Sequence, residues 1–591
     1  PGDAAGAALL AEAALDPVNV APATAARWLR AALRALPHDA ATAGRRAELR
    51  LALARALGPA GRFNEARTVL HELAADATDG GGAFRSAALE RLGATERAMG
   101  RLPEARALLG SELRRTTRTS PCARSALLVE LAAVDMMRGD WRTGAELAAE
   151  ALRLARGERR PGLPATAIAL LALAELYRCR FDEGRALLRE ARGRADALTD
   201  PELRAALGLM PALAWAESLM DEHCDALRHA ERGLRVARRY GHDDVVPQLY
   251  VVRSVVHARL GMVPQALTDA EDGEEVARHL DSAETRALVL AVRSRPLLWR
   301  EGPDAALPRA TAPHDRHGPR SGWWRDIADH ALAEIRLLSG DPAGCRELLE
   351  ARFGPDPEGL GPHAPSVYAL RSQAEVARGD LDSGREWYAR ARAVAERGAP
   401  RAQLGSVARA GAIVAQALGD RPAAVAAARY AVDRFAEEGL PIDEGLARML
   451  LAELGVRVGD TRAAHRELGG ARELFTGCGA SWLAQRAGRE QRRAGARGSR
   501  GAELAAELSG REREVAELAT QGLTNRQIAE RLFLSPRTVE THLARAFQKV
   551  GVTTRTALAW PVPAGPADIL STMVRVPPGS TMDAVGAALG A

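Results

Sequence analysis

A six-residue signature recurs eleven times along this chain, and its spacing limits the possible folds more than any other feature. It is usually a glycine followed five residues later by alanine or glycine: GRFNEA at Gly61, GRLPEA at Gly100, GDWRTG at Gly139, GMVPQA at Gly261, GDLDSG at Gly379, GDRPAA at Gly419 and GDTRAA at Gly459. Weaker copies begin at Cys179 (CRFDEG), Asp221 (DEHCDA), Glu301 (EGPDAA) and Gly340 (GDPAGC). Successive starts lie 39, 39, 40, 42, 40, 40, 39, 39, 40 and 40 residues apart. Unrelated helices do not keep such a period, whereas stacked repeat units do.

Each unit reads as helix, turn, helix. Around Gly379, Val367, Leu370, Ala374 and Ala377 form an apolar stripe before the turn, and Trp387, Tyr388, Ala391 and Val394 form one after it. Glycine can take the left-handed conformation that ends a helix, and the small residue five positions on lets the second helix approach the first. Neither helix covers its stripe alone, so the units are expected to stack into an all-α solenoid over residues 20–485. The pattern resembles tetratricopeptide-type arrays with a longer period. A groove on such an array suits an effector ligand or a protein partner; a plain spacer is the competing reading.

Composition agrees with helices packed on small residues: 47% of the chain is hydrophobic but only 4% aromatic. Lys549 is the only lysine among 81 basic residues, so no phosphate-loop or Schiff-base lysine is available elsewhere. Five cysteines, Cys122, Cys179, Cys224, Cys345 and Cys478, are odd in number and at least 45 residues apart. They suit buried thiols in a reducing compartment better than disulfides or a zinc site. No signal pattern opens the chain and its longest apolar run, Ala165 to Ala174, is too short to span a bilayer. A cytoplasmic protein with no membrane partner and no cofactor is expected, and the helix-like opening at Pro1 suggests a piece of a longer protein.

One unit is irregular. Pro308, Pro313 and Pro319 interrupt the segment after Glu301, which predicts a loop there, since an interior proline costs a helix about 3 kcal/mol. His314, Asp315 and His317 in that loop have a metal-like spacing but lack a third positioned ligand. Trp323 and Trp324 read as core of the next helix.

Charge is concentrated near the C-terminus. Residues 486–560 hold 14 Lys/Arg and 8 Asp/Glu, whereas residues 1–485 balance to zero. Six arginines between Arg486 and Arg500, mixed with glycine, read as a flexible linker over residues 486–503, either a phosphate contact or a solvated tether. Three helix starts follow. Ser509-Gly510-Arg511-Glu512 and Thr524-Asn525-Arg526-Gln527 are capping boxes, and Ser535-Pro536 places a cap before a first-turn proline. Val515 and Leu518, then Ile528, Ala529 and Leu532, then Val539, Leu543, Phe547 and Val550 would form a trihelical core. The third helix would expose Arg537, Thr538, Glu540, Thr541, Arg545 and Gln548, as the second helix of a helix-turn-helix does in the major groove.

The run LSGREREVAELATQGLTNRQIAERLFLSPRTVETHLARAFQKVGV, Leu508 to Val552, resembles the LuxR-type helix-turn-helix domain. It matches the L-S-x-R-E-x-E-V opening, the G-x-T-N-x-x-I-A-x-x-L middle and the S-x-x-T-V-x-x-H-L recognition helix. The resemblance implies a domain over residues 504–560, with a last helix at Thr554–Trp560 used for dimer contacts. It implies phosphate contacts at Thr524, Asn525 and Arg526, and a groove-facing set of Arg537, Thr538, Glu540, Thr541 and Arg545, with Lys549 nearby. Glu540 and Ala544 stand where many members have a basic residue, so base preference does not transfer. Glu540 could accept from a cytosine amino group, or, the preferred reading, pair with Arg537. His542 lies toward the inner side and suits packing.

Repeats ending in this domain are similar to the large ATP-binding LuxR regulators, whose nucleotide-binding domain is not legible here. Residues 1–19 would be a remnant of what precedes, and residues 561–591 form a Pro/Gly-rich tail. The expected function is sequence-specific binding of double-stranded DNA as a transcription regulator, acting with RNA polymerase and as a dimer on DNA. The rival is an adaptor whose two regions both contact proteins. Enzyme chemistry has no support, since HExxH, GxSxG and paired Cys/His clusters are missing.

Overall fold

The computed structural model describes residues 4–15, 20–39, 41–76, 82–115, 121–155, 161–280, 282–316, 324–354, 360–457, 460–506, 508–520 and 522–550. Helix–turn–helix pairs follow one another along the array, from Ala43–Leu57 with Phe63–Asp76 to Pro441–Arg457 with Thr461–Gly477. The described residues form an all-helical solenoid of packed hairpins followed by three small C-terminal helices.

The signature positions explain the hairpins. Gly61, Gly100, Gly139, Gly261, Gly340, Gly379 and Gly419 have φ between 71° and 89°, and the weak copies Cys179 and Asp221 adopt φ of 57° and 61°. These two pay a steric penalty that glycine avoids, which the packed hairpin overrides. In the unit at Glu301, Gly302 takes the positive angle, with φ of 93°, and Gly459 lies outside the described residues.

The residue five positions on is buried in every unit: Ala66, Ala105, Gly144, Gly184, Ala226, Ala266, Ala306, Cys345, Gly384, Ala424 and Ala464. At Gly184 a Cβ would fall 2.5 Å from Leu176 Cδ2, and at Gly384 2.6 Å from Val376 Cγ2, so the two helices touch there. Seven residues before each start sits another small buried residue, from Ala54 and Gly93 through Ser254, Ser294 and Ser372 to Ala412 and Ala452. Ser254 Oγ and Ser372 Oγ each donate to a backbone carbonyl of the second helix, Ala266 O and Gly384 O, at 2.7 Å.

Stacked hairpins coil into a superhelix tight enough for its successive turns to meet. The amide of Asp243 donates to Pro59 O at 2.8 Å, that of Ala402 to Asp221 Oδ2 at 3.0 Å and that of Val263 to Cys478 O at 3.3 Å. Turn glycines permit this approach, since a Cβ on Gly302 would lie 2.6 Å from Trp482 Cδ1. Units about 180 to 215 residues apart therefore share a seam.

Several expectations are corrected. The proline-rich segment is a helix from Pro303 to Arg316 rather than a loop. Pro303 begins it, Ala306 and Ala310 are buried, and Pro308 lies on the exposed side, where the carbonyl it leaves unbonded can meet water. His317, Pro319 and Trp323 fall outside the described residues, as do the side chains of His314 and Asp315. The expected linker is also helical, within Ser481–Ala506: arginine, alanine and glutamine favour helix, and Leu483, Ala487 and Ala494 bury against the array. Near the N-terminus, helix Ala4–Ala14 packs Ala7 and Ala11 against Pro22–Ala35, so part of the supposed remnant is folded. Ala377 is exposed, and Val376 makes the close contact at that turn. Cys179, Cys345 and Cys478 are buried, but Cys224 is exposed and Cys122 half-buried.

Candidate nucleic-acid interface

Three helices, Gly510–Thr520, Asn525–Leu532 and Pro536–Val550, build the C-terminal unit. Each start is capped as its sequence predicts. Ser509 N donates to Glu512 Oε2 at 2.8 Å, and Thr524 and Gln527 form a reciprocal box. Ser535 Oγ accepts from the Thr538 amide at 3.0 Å. Phe533 turns the chain between the last two helices in the left-handed conformation with φ of 55°, leaving its ring 96% exposed. The expected last helix, Thr554–Trp560, and the tail after it lie outside the described residues.

Leu508, Val515, Ala516, Ala519, Ile528, Ala529, Val539, Leu543 and Ala546 form the buried core, with Leu518, Leu532 and Phe547 packed at its edge. The Val550 side chain lies outside the described set. Because Val539, Leu543 and Ala546 point inward at helical spacing, Arg537, Glu540, Thr541, Ala544, Arg545 and Gln548 are exposed on the opposite face of the third helix. Thr538 is half-buried and its hydroxyl lies 2.7 Å from Ser535 Oγ. Thr541 Oγ1 donates to Arg537 O at 3.0 Å. Among the described residues Arg537 and Glu540 form no ion pair, so the preferred reading of Glu540 does not hold. His542 is half-buried, with Nδ1 enclosed and lacking a hydrogen-bond partner.

At the start of the second helix, the Thr524 side chain is committed to its cap, while Arg526 is exposed and lies 3.4 Å from Glu530. Asn525 is half-buried and engaged in a further contact. Lys549 stands apart from the groove-facing set: its Nζ is 2.7 Å from Glu512 Oε2 and ties the third helix to the first. That ammonium and the Ser509 amide hold the buried Glu512 carboxyl down at about 2. Sequence reasoning assigned Glu512 only its cap, because its second partner lies 37 residues away.

Two places in the array bear on ligand binding. A cleft of about 790 Å³ opens on the seam, lined by Leu260, Met262, Pro264, Pro441, Arg448 and Leu474 among others. Glu217, Glu222 and Asp225 lie close enough together for a metal. However, Arg192 occupies that position, 3.0 Å from both Glu217 and Asp225 and paired with Glu222 as well. The trio is better explained as a half-buried ion-pair network in which only Glu217 is fully buried.

The family described as bacterial regulatory proteins, luxR family, matches residues 506–560. An HTH-type transcriptional regulator of Mycobacterium bovis is 49% identical over 51 residues, 9% of this chain and 6% of that protein. The spore germination protein GerE of Bacillus subtilis is 51% identical over 45 residues, 8% of this chain and 61% of its own. The match thus spans a small fraction of the mycobacterial relatives' length. Among solved structures, a Rap protein complexed with competence and sporulation factor is 11% identical, with 67% of this chain and 99% of that one covered at a TM-score of 0.41. The quorum sensor NprR from B. thuringiensis is 13% identical over 59% of this chain and 98% of its own, with a TM-score of 0.36. Motifs, caps, core and family match agree on one conclusion: residues 506–560 are a LuxR-type helix-turn-helix domain at the C-terminal end of a tetratricopeptide-like array.

Proposed function

We propose that this protein is a sequence-specific DNA-binding transcription regulator that reads the major groove with helix Pro536–Val550. The observation that carries this reading is the exposed face holding Arg537, Glu540, Thr541 and Arg545 outside a fully capped three-helix core. Arginine forks suit guanine edges, and Glu540, unpaired with Arg537, is free to accept from cytosine. Thr524, Asn525 and Arg526 at a helix N-terminus suit phosphate contact, whereas Lys549 serves the fold through Glu512.

The array would sense an effector or partner, for which the seam cleft is large enough to take a small molecule. Binding there would touch two superhelical turns at once and so bias how they sit together. Contact with RNA polymerase and dimerisation on DNA belong to the same proposal. Binding-site selection from random duplexes with the full chain tests the main reading. Enrichment of a defined site supports it; a folded chain that enriches nothing points to the adaptor role instead.

A further inference from the structure

We propose that helix Ser481–Ala506 is a second DNA-contacting element, whose Arg489, Arg492 and Arg493 bind backbone phosphates flanking the site read by the helix-turn-helix. The inference rests on the DNA-binding reading above and adds a surface to it. As a flexible tether, this segment would scatter its arginines; as a helix it sorts them. Leu483, Ala487 and Ala494 are buried against the last hairpins. At 3.6 residues per turn these three fall within about 40° of one another, and Arg489, Arg492 and Arg493 occupy about 100° on the far side. All three arginines are exposed.

The charge of this face is nearly uncompensated. Helix Ser481–Ala506 contains six arginines and two acids, Glu490, which lies 2.7 Å from Arg493, and Glu503, ten residues beyond that arginine. Arg486 plays a different part, half-buried over the Trp482 ring, 5.7 Å from its centroid, where it helps seat the helix.

Duplex DNA fits this surface better than a protein or a small anion would. The arginines form an extended stripe rather than a pocket, and DNA carries one charge per about 1.7 Å of its axis. Guanidinium forks pair with phosphate oxygens in two-point contacts. The helical backbone reaches Ala506, where the matched domain of residues 506–560 begins. Arg493 therefore lies about 20 Å upstream of Ala506 along the helical rise, less than one turn of duplex. Contacts there would add affinity without sequence information.

The test compares the full chain with its Arg489→Gln/Arg492→Gln/Arg493→Gln variant, since glutamine keeps helix propensity and removes charge. The probes are a selected site within a 40-base-pair duplex and the same site trimmed of its flanks. We expect the variant to bind the long duplex about tenfold or more weakly near 0.15 M salt. Its plot of log affinity against log salt should be shallower by about 2 to 3. On the trimmed duplex the two proteins should agree, and base preference should not change. Parent-like affinity and slope on the long duplex would overturn the proposal and leave the helix-turn-helix reading standing. A wild-type chain that binds no duplex would overturn both.

Discussion

Glu512 shows how one side chain can close a small domain. It completes the cap at Ser509 and receives Lys549 from the end of the third helix, so losing it frees both. Its carboxyl is held at about 2, below the ordinary carboxylate value near 4.3. The stability it contributes is therefore complete above about pH 4.5 and is lost as pH falls toward 2. In Lys549→Met the carboxyl should return toward its ordinary value, so a fragment spanning residues 506–560 should melt lower than the parent at pH 7. The two melting curves should converge near pH 2, and a constant gap from pH 7 to pH 2 would refute the pairing. The cap was legible because its partners are three residues apart, but the ion pair joins residues that only the fold brings together. The role of Lys549 in joining the third helix to the first was for the same reason not legible.

At the scale of the helical hairpin, small residues set how closely two helices approach. Gly184 is the sharpest case. Glycine to alanine inside a helix normally gains about 0.5 to 1 kcal/mol, but here the added methyl meets fully buried Leu176 at 2.5 Å. Overpacking of that kind costs about 1 to 3 kcal/mol. We expect Gly184→Ala to lower the chain's melting temperature in calorimetry, and a rise would mean that Leu176 moves aside freely. The turn starts and the residue five positions on could be read directly, even where Cys179 and Asp221 replaced glycine. Two other periodic signals were in the sequence but unread: the small residue seven positions before each start, and the aspartate after it. Asp140, Asp341, Asp380, Asp420 and Asp460 each accept from the amide three residues on. The prolines of Pro303–Arg316 and the glycines of Ser481–Ala506 misled for one reason: local propensity predicts a break, while burial of Ala306 and Ala310, or of Leu483 and Ala487, favours the helix.

Across the whole molecule, successive superhelical turns meet along a seam. The 40-residue period implies a solenoid but not its pitch, because pitch follows from small rotations between units that no motif spells out. Thiol labelling reports on the seam. Cys478 lines it, is buried and is pushed up to about 11 by that burial, whereas Cys224 is exposed. Mass spectrometry should find Cys224 modified first and Cys478 protected until the array unfolds; equal rates would mean that the turns do not meet in solution. We propose above that Pro536–Val550 reads DNA. The most direct test is the affinity of Arg537→Ala and Arg545→Ala full-length chains for a selected duplex, measured beside their melting temperatures. Each variant should lose about 1 to 3 kcal/mol of binding at an unchanged melting temperature, and parent-like affinity in both would mean that this helix face does not read DNA.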